Sequence, residues 1–176
     1  NSIDNNCLTI VRPTVIFGEG NRGNVFNLLK QIASGKFLMI GKGDNKKSMA
    51  YIGNVVAFLD ACICHDEKYG LYNYVDTPNM TMNELVSHLR TQLKGKDGVG
   101  LRVPYWLGMI LGFVADSISF LTRKNLPVSS IRVKKFTSST EFRSAKESLD
   151  SFKPPFSLED GIARTLKSEF LLPNST

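Results

Sequence analysis

Three glycines, Gly18, Gly20 and Gly23, spell G-x-G-x-x-G between an apolar run, "LTIVRPTVIF", and a helical run that begins at Asn24. A glycine loop between a strand and a helix opens a βα unit. Dinucleotide-binding folds place such a loop there, with an acidic residue about 20 positions further on at the end of the next strand. Asp44 follows "KFLMIGKG", which satisfies half of that context. Two features oppose it. The first glycine of the fingerprint normally follows its strand directly, whereas Pro13 interrupts the apolar run well before Gly18. Glu19 also stands between the first two glycines, a carboxylate close to where a pyrophosphate should lie. Free amides at a helix start can still hold a phosphate without the full fingerprint.

The rest of the chain alternates strand and helix signals. Leu8 to Val11 reads as a buried strand stopped by Pro13. Val25, Leu28, Leu29 and Ile32 have helical spacing, with Asn24 as N-cap and Gly35 as stop. "KFLMIG" reads as a short strand, "GKGDNKK" as a turn, and "SMAYI" as a strand leading to a helix near Asn54. "LYNYV" alternates as a strand does, and "VGLRVP" is strand-like up to Pro104. Thr81 with Glu84, and Ser157 with Asp160, carry the spacing of capping boxes ahead of apolar helical stripes. This pattern predicts an α/β fold in a single fragment, 1–176, with helix dominating the second half.

The most apolar run, Trp106 to Leu121, is broken by Asp116, Ser117 and Ser119 and falls short of the roughly 20 apolar residues that span a bilayer. It is expected to be a buried amphipathic helix, with a membrane-surface helix as the alternative.

At 42% hydrophobic and 22% charged residues the chain lies outside the disordered class. Its 22 Lys and Arg against 16 Asp and Glu, a formal +6, favour anionic partners. Three cysteines, an odd count in a chain of this size, point to a reducing, cytoplasmic setting. "NSIDNN" carries no secretory signal and reads as a cut inside a longer chain. Cys62, Cys64 and His65 do not form a metal site, because helical residues two apart point to nearly opposite sides. His88 reads as a surface or interface histidine, and no motif suggests a nucleophile. Nucleic acid is not an expected partner: apart from Phe136 the aromatics do not interleave with basic residues, and Arg132, Lys134 and Lys135 read as a solvated face.

"IVRPTVIFGEGNRG", "KSMAYIGNVVAFL" and "FSLEDGIARTLKSEF", in that order and at plausible distances, closely resemble the C-terminal half of the extended short-chain dehydrogenase/reductases, the nucleotide-sugar epimerases, dehydratases and 4-ketoreductases. The resemblance implies the C-terminal part of a Rossmann-type NAD(P)-binding fold with a mostly helical substrate-binding region. In that family the Rossmann glycine loop and the catalytic Tyr-x-x-x-Lys lie upstream, and this chain has no Tyr-x-x-x-Lys. The glycine motif is then a lookalike, no residue here is catalytic, and the chain alone should not transfer hydride.

The resemblance further implies that Arg12, Pro13, Thr14 and Val15 pass beside the nicotinamide end of NAD or NADP; a plain strand end held by proline explains them equally. It places Asn24 and Val25 at a helix start that meets the substrate diphosphate, a role compatible with N-capping. Lys47 falls where relatives carry a diphosphate-gripping Arg, and Tyr51 where they carry a histidine. Lys loses the bidentate fork of Arg, so a weaker or differently shaped site follows, and a solvated basic turn explains Lys47 as cheaply. The implied function is to hold a nucleotide-diphosphate sugar over the cofactor for epimerisation or dehydration. The alternatives are a 4-ketoreductase or a non-catalytic phosphate-binding module. A membrane surface met through Trp106–Leu121 and a homodimer complete the expected partners.

Overall fold

The computed structural model describes residues 7–64, 69–123, 128–142, 149 and 152–171. In chain order the elements are β1 (Leu8–Pro13), β2 (Val15–Phe17), α1 (Asn24–Ala33), β3 (Met39–Ile40), β4 (Lys46–Lys47), β5 (Met49–Tyr51) and α2 (Ile52–Ile63). They continue with β6 (Tyr69–Tyr74), β7 (Met80–Thr81), α3 (Met82–Lys94), β8 (Arg102–Val103), α4 (Tyr105–Thr122), α5 (Ser130–Thr137) and α6 (Leu158–Leu166), which runs into a π-helical turn, Lys167–Leu171. The chain divides into two compact units. One comprises Asn1–Lys30, Ser48–Asn79 and Glu141–Thr176, the other Gln31–Lys47 and Met80–Thr140.

In the first unit β1 pairs with β6 and β2 with β5, both parallel. The α/β expectation therefore holds. Val55, Phe58 and Cys62 recur at helical spacing on α2 and bury one stripe among Ala50, Tyr72 and Tyr74, with Val11, Ile16 and Phe152 packed against them. The Phe58 ring lies 4.7 Å from Tyr74 and 5.1 Å from Phe152, the latter edge to face.

A buried carboxylate ties this unit together. Asp76 Oδ2 accepts the Tyr51 amide at 2.7 Å, and Oδ1 accepts Asn54 Nδ2 at 3.0 Å and the Tyr74 hydroxyl at 2.8 Å. Asn54 also brackets Phe156, donating to its carbonyl at 2.9 Å and accepting its amide at 3.0 Å. Burial, and then the Asp76 carboxylate, push the Tyr74 phenol far up, so it stays a donor. The expected helix start near Asn54 is two residues late: α2 begins at Ile52, and Asn54 spends its side chain on the core.

Pro13 also departs from expectation. It stays in register opposite Tyr74, and it is Thr14 that donates to the Tyr74 carbonyl, at 3.0 Å. The missing proline N–H faces away from the partner strand, where it costs nothing. Helix α1 opens one residue earlier than an Asn24 cap implies, since the Gly23 carbonyl accepts the Asn27 amide. It ends as expected. Gly35, at φ +74°, donates to Ile32 and Lys36 to Gln31, the paired bonds of a Schellman motif.

Both capping boxes form. Thr81 accepts the Glu84 amide while Glu84 accepts the Thr81 amide, and Ser157 and Asp160 do the same. The Ser157 hydroxyl and then its amide hold the Asp160 carboxyl below its ordinary 3.8. A carboxyl depressed in the folded state stabilises above its unfolded value and loses that contribution as pH falls through the folded one. Asp160→Ala is therefore expected to melt lower than the parent at pH 7, and the gap should narrow below about pH 3.8 in paired thermal melts.

In the second unit β3 pairs parallel with β8, and β4 antiparallel with β7. Lys46–Lys47, expected in a turn, is a strand because Met80 and Thr81 pair with it. "IRVKKF" folds as α5, capped by the Ser129 side chain on the Arg132 amide. The largest correction concerns α4. Expected as a buried helix, it buries only Gly108 and Gly112, and Trp106, Phe113 and Phe120 are 63%, 56% and 86% exposed. By length and composition it is also apolar enough to cross a membrane, at 18 residues and mean hydropathy 1.4.

Candidate functional site

The glycine loop joins the end of β2 to the start of α1. Gly20 turns through φ +76°, and its amide donates to Glu169 Oε1 at 2.7 Å. Glu169 Oε2 meets Arg22 Nη1 at 2.7 Å, and the Arg22 guanidinium lies 4.4 Å from the Phe26 ring centre. Asn21 closes the loop locally, donating to the Ile16 carbonyl at 3.0 Å and accepting the Gly23 amide at 2.9 Å. A carboxylate of the chain itself thus takes the loop amide at Gly20.

Tyr51, at the end of β5, is buried against this loop. Its ring lies 5.7 Å from Phe17 and stands edge-on to Phe156 at 5.5 Å. A Cβ at Gly161 would stand 2.6 Å from Tyr51 Cγ, so α6 can approach the ring only through glycine. The hydroxyl donates to both oxygens of Glu19, at 2.9 and 3.1 Å. Burial, and then the Glu19 carboxylate, raise the phenol pKa. At neutral pH Tyr51 is a fixed hydrogen-bond donor.

Arg12 to Val15 form the carboxyl end of β1 and the entry to β2. Arg12 and Val15 are exposed, Pro13 and Thr14 half-buried. Thr14 Oγ1 is buried and has no hydrogen-bond partner among the described residues. Ligands of open α/β sheets bind outside the carboxyl ends of the strands, so an orphaned hydroxyl here fits a ligand-facing turn. At the start of α1, Asn24 is exposed whereas Val25 is in the core. What Val25 can offer a ligand is its first-turn amide.

Lys47 lies in the other unit. Its Nζ donates to the Lys135 carbonyl at 2.9 Å, the Ser138 carbonyl at 2.6 Å and Thr140 Oγ1 at 3.2 Å. An ammonium has three protons, and all three are spent on the end of α5 and Thr140. Burial lowers its pKa. The structure thus gathers Arg12–Val15, Asn24 and Tyr51 in one unit and gives Lys47 a capping role in the other. Among the described residues no three His, Cys, Asp or Glu are grouped as metal ligands, and His65 lies outside the described residues.

Sequence reasoning missed Glu169, Asp76 and the Asn54 clamp. Glu169 meets Gly20 across 149 positions and Asn54 meets Phe156 across 102, and no local pattern announces either.

No model of a known protein family matches the chain. It is 50% identical over 165 residues to N-acetyl-alpha-D-glucosaminyl-diphospho-ditrans,octacis-undecaprenol 4-epimerase of Escherichia coli O157:H7, covering 93% of this chain and 50% of that protein. It is 27% identical over 173 residues to UDP-glucose 4-epimerase of Vibrio cholerae, covering 96% and 48%. Among solved structures, UDP-N-acetylglucosamine 4-epimerase from Bacillus cereus superposes with TM-score 0.60 at 12% identity, over 93% of this chain and 47% of that one. UDP-glucuronic acid 4-epimerase from Bacillus cereus, in complex with NAD, gives 0.58 at 16%, over 91% and 44%. The chain spans about half the length of the curated relatives it matches.

Proposed function

We propose, on the premise that this chain is in sequence and fold the C-terminal half of an extended short-chain dehydrogenase/reductase of the epimerase/dehydratase kind, that it is the substrate-holding half of a sugar-diphosphate 4-epimerase. The observation that carries the reading is an unfinished sheet. Leu8 pairs with Tyr69 and Ile10 with Leu71, so the four side chains share one face of the β1–β6 pair. All four are exposed, Leu8 at 55% and Tyr69 at 62%, while α2 covers the opposite face. Parallel sheets are covered on both faces. The bare face is where a cofactor-binding half would pack.

In this reading Arg12–Val15 border the nicotinamide end of NAD, with Thr14 Oγ1 as the free polar group. NAD, when bound, supplies the hydride acceptor and donor for a sugar carbon. Asn24 and the first amides of α1 face the substrate diphosphate, where unpaired N–H groups and the helix dipole favour anions. Tyr51, fixed through Glu19, holds the loop that leads into α1. Lys47 reaches a phosphate only by giving up its bonds to the end of α5. Orientation of the sugar is the half's contribution to rate.

The 50% identical relative is named for an undecaprenol-linked substrate, and the exposed α4 favours a lipid-linked sugar diphosphate here too, met at a membrane surface through Trp106–Leu121. A nucleotide-linked sugar is the second reading, favoured by the other relatives' names. A homodimer is the proposed assembly. Thr14→Val in the whole protein is expected to raise KM for NAD about tenfold, as loss of one buried hydrogen bond to a ligand does, with kcat little changed. Steady-state kinetics at varied NAD checks it, and an unchanged KM removes Thr14 from the cofactor site.

A further inference from the structure

Helix α4 carries one charged side chain in 18 residues, Asp116, and turns it toward α5. Its Oδ2 accepts the Ser130 amide at 3.1 Å and the Ser130 hydroxyl at 2.6 Å, so the carboxylate is satisfied at the N-terminus of α5. The side of α4 that meets its neighbours is thin. A Cβ at Gly112 would stand 2.8 Å from the Ser130 backbone, and one at Gly108 would stand 2.6 Å from Ile40. The helix therefore packs through glycines and sends its bulk outward. Trp106, Ile110, Phe113, Val114, Ile118 and Leu121 form an exposed face without charge.

Basic residues dominate the sequence around that face, and α5, which packs along α4, exposes some of them. From Tyr105 to Thr137 the sequence holds five Lys and Arg against the single Asp116. On α5, Lys134 and Lys135 are exposed beside Ile131, which is itself exposed. An apolar helix face without charge, with cations exposed on the neighbouring helix, complements a surface that is apolar beneath and anionic at its headgroups. Tyr105 and Trp106 at one end of α4 are the residue types that settle at such an interface. A spanning pose is opposed by the same contacts, because α5 is packed along α4 and would carry Lys134 and Lys135 into the hydrocarbon.

We propose that α4 and α5 form a docking platform for an anionic lipid bilayer, with α4 in the plane of the interface and the α5 lysines at the headgroups. The platform rests on the membrane contact proposed above and names its lipid chemistry and pose. It needs no substrate, so its test is separate from that of the epimerase reading.

Trp106 is the sole tryptophan, and its emission reports the platform directly. The full chain is mixed with phosphatidylcholine vesicles, with and without phosphatidylglycerol, then pelleted and scanned for fluorescence. The expected result is pelleting with a blue-shifted Trp106 on the phosphatidylglycerol vesicles alone, reduced by salt and quenched more by lipids brominated near the headgroup than by lipids brominated deep in the chain. Lys134→Gln and Lys135→Gln should each weaken vesicle affinity about fivefold. Phe113→Ser with Phe120→Ser should abolish the blue shift while circular dichroism stays unchanged. No binding to phosphatidylglycerol vesicles, or equal binding to neutral ones, overturns the platform. So does strongest quenching at the bilayer centre, which means a span, or a blue shift from self-association without lipid, which makes a second copy the occupant.

Discussion

Asp76→Ala is expected to lower the unfolding free energy by about 3–5 kcal/mol, enough to remove much of the margin of an ordinary domain. Three donors converge on this carboxylate: the Tyr51 amide, Asn54 Nδ2 and the Tyr74 hydroxyl. Alanine leaves all three buried without that acceptor, and each orphaned group costs roughly 1–3 kcal/mol. The costs are not additive, because Asn54 keeps its two bonds to Phe156 and the cavity admits some relaxation. Urea unfolding of parent and variant checks the value. A loss under about 1 kcal/mol would show that the network is not what joins α2, β6 and the Phe156 segment.

Leu71→Lys should act in the opposite way. Leu71 is exposed on the bare face of β6, so the change costs the 176-residue chain little, within about 0.5 kcal/mol for a surface site. In the whole protein that face is proposed to be buried against the cofactor-binding half. An unpaired ammonium there should cost several kcal/mol of docking, and epimerase activity is expected to fall about a hundredfold or more. The contrast separates the two roles: equal stability of parent and variant as isolated chains, with unequal activity as whole proteins. Full activity in the Leu71→Lys protein would mean that the face is not covered.

The glycine loop shows how far sequence carries. Its place after a strand and before a helix is legible because both are local signals, but the objection from Pro13 fails: β2, Val15–Phe17, follows the proline and runs directly into Gly18. The boxes at Thr81 with Glu84 and Ser157 with Asp160, and Gly35 as a stop, are local signals too. Glu169 on the Gly20 amide is not legible, since the pairing exists only after residues 149 apart are brought together. The strand at Lys46–Lys47 fails for a related reason: its pattern is that of a turn until Met80 and Thr81 supply a partner. Helix α4 is the instructive miss. An apolar stripe reports that something must cover it, and the sequence alone assigns that role to a protein core by default. The two glycines that let α4 pack thinly were present in "WLGMILGF", yet their meaning depends on which neighbours they face.

Lys47 is a residue named by the family resemblance, and the folded chain gives its three protons to Lys135, Ser138 and Thr140. Thr14 is named by the same resemblance, and what the folded chain adds is a buried hydroxyl without a partner among the described residues.

The most direct test of the central claim is a C4-epimerisation assay on the whole protein, expressed from the native reading frame that contains this chain. Undecaprenyl-diphosphate-linked N-acetylglucosamine and UDP-N-acetylglucosamine would be supplied in parallel with NAD. The expected result is NAD-dependent inversion at C4 of one of the two, with the lipid-linked sugar preferred. A folded whole protein that binds no NAD and inverts neither sugar would contradict it.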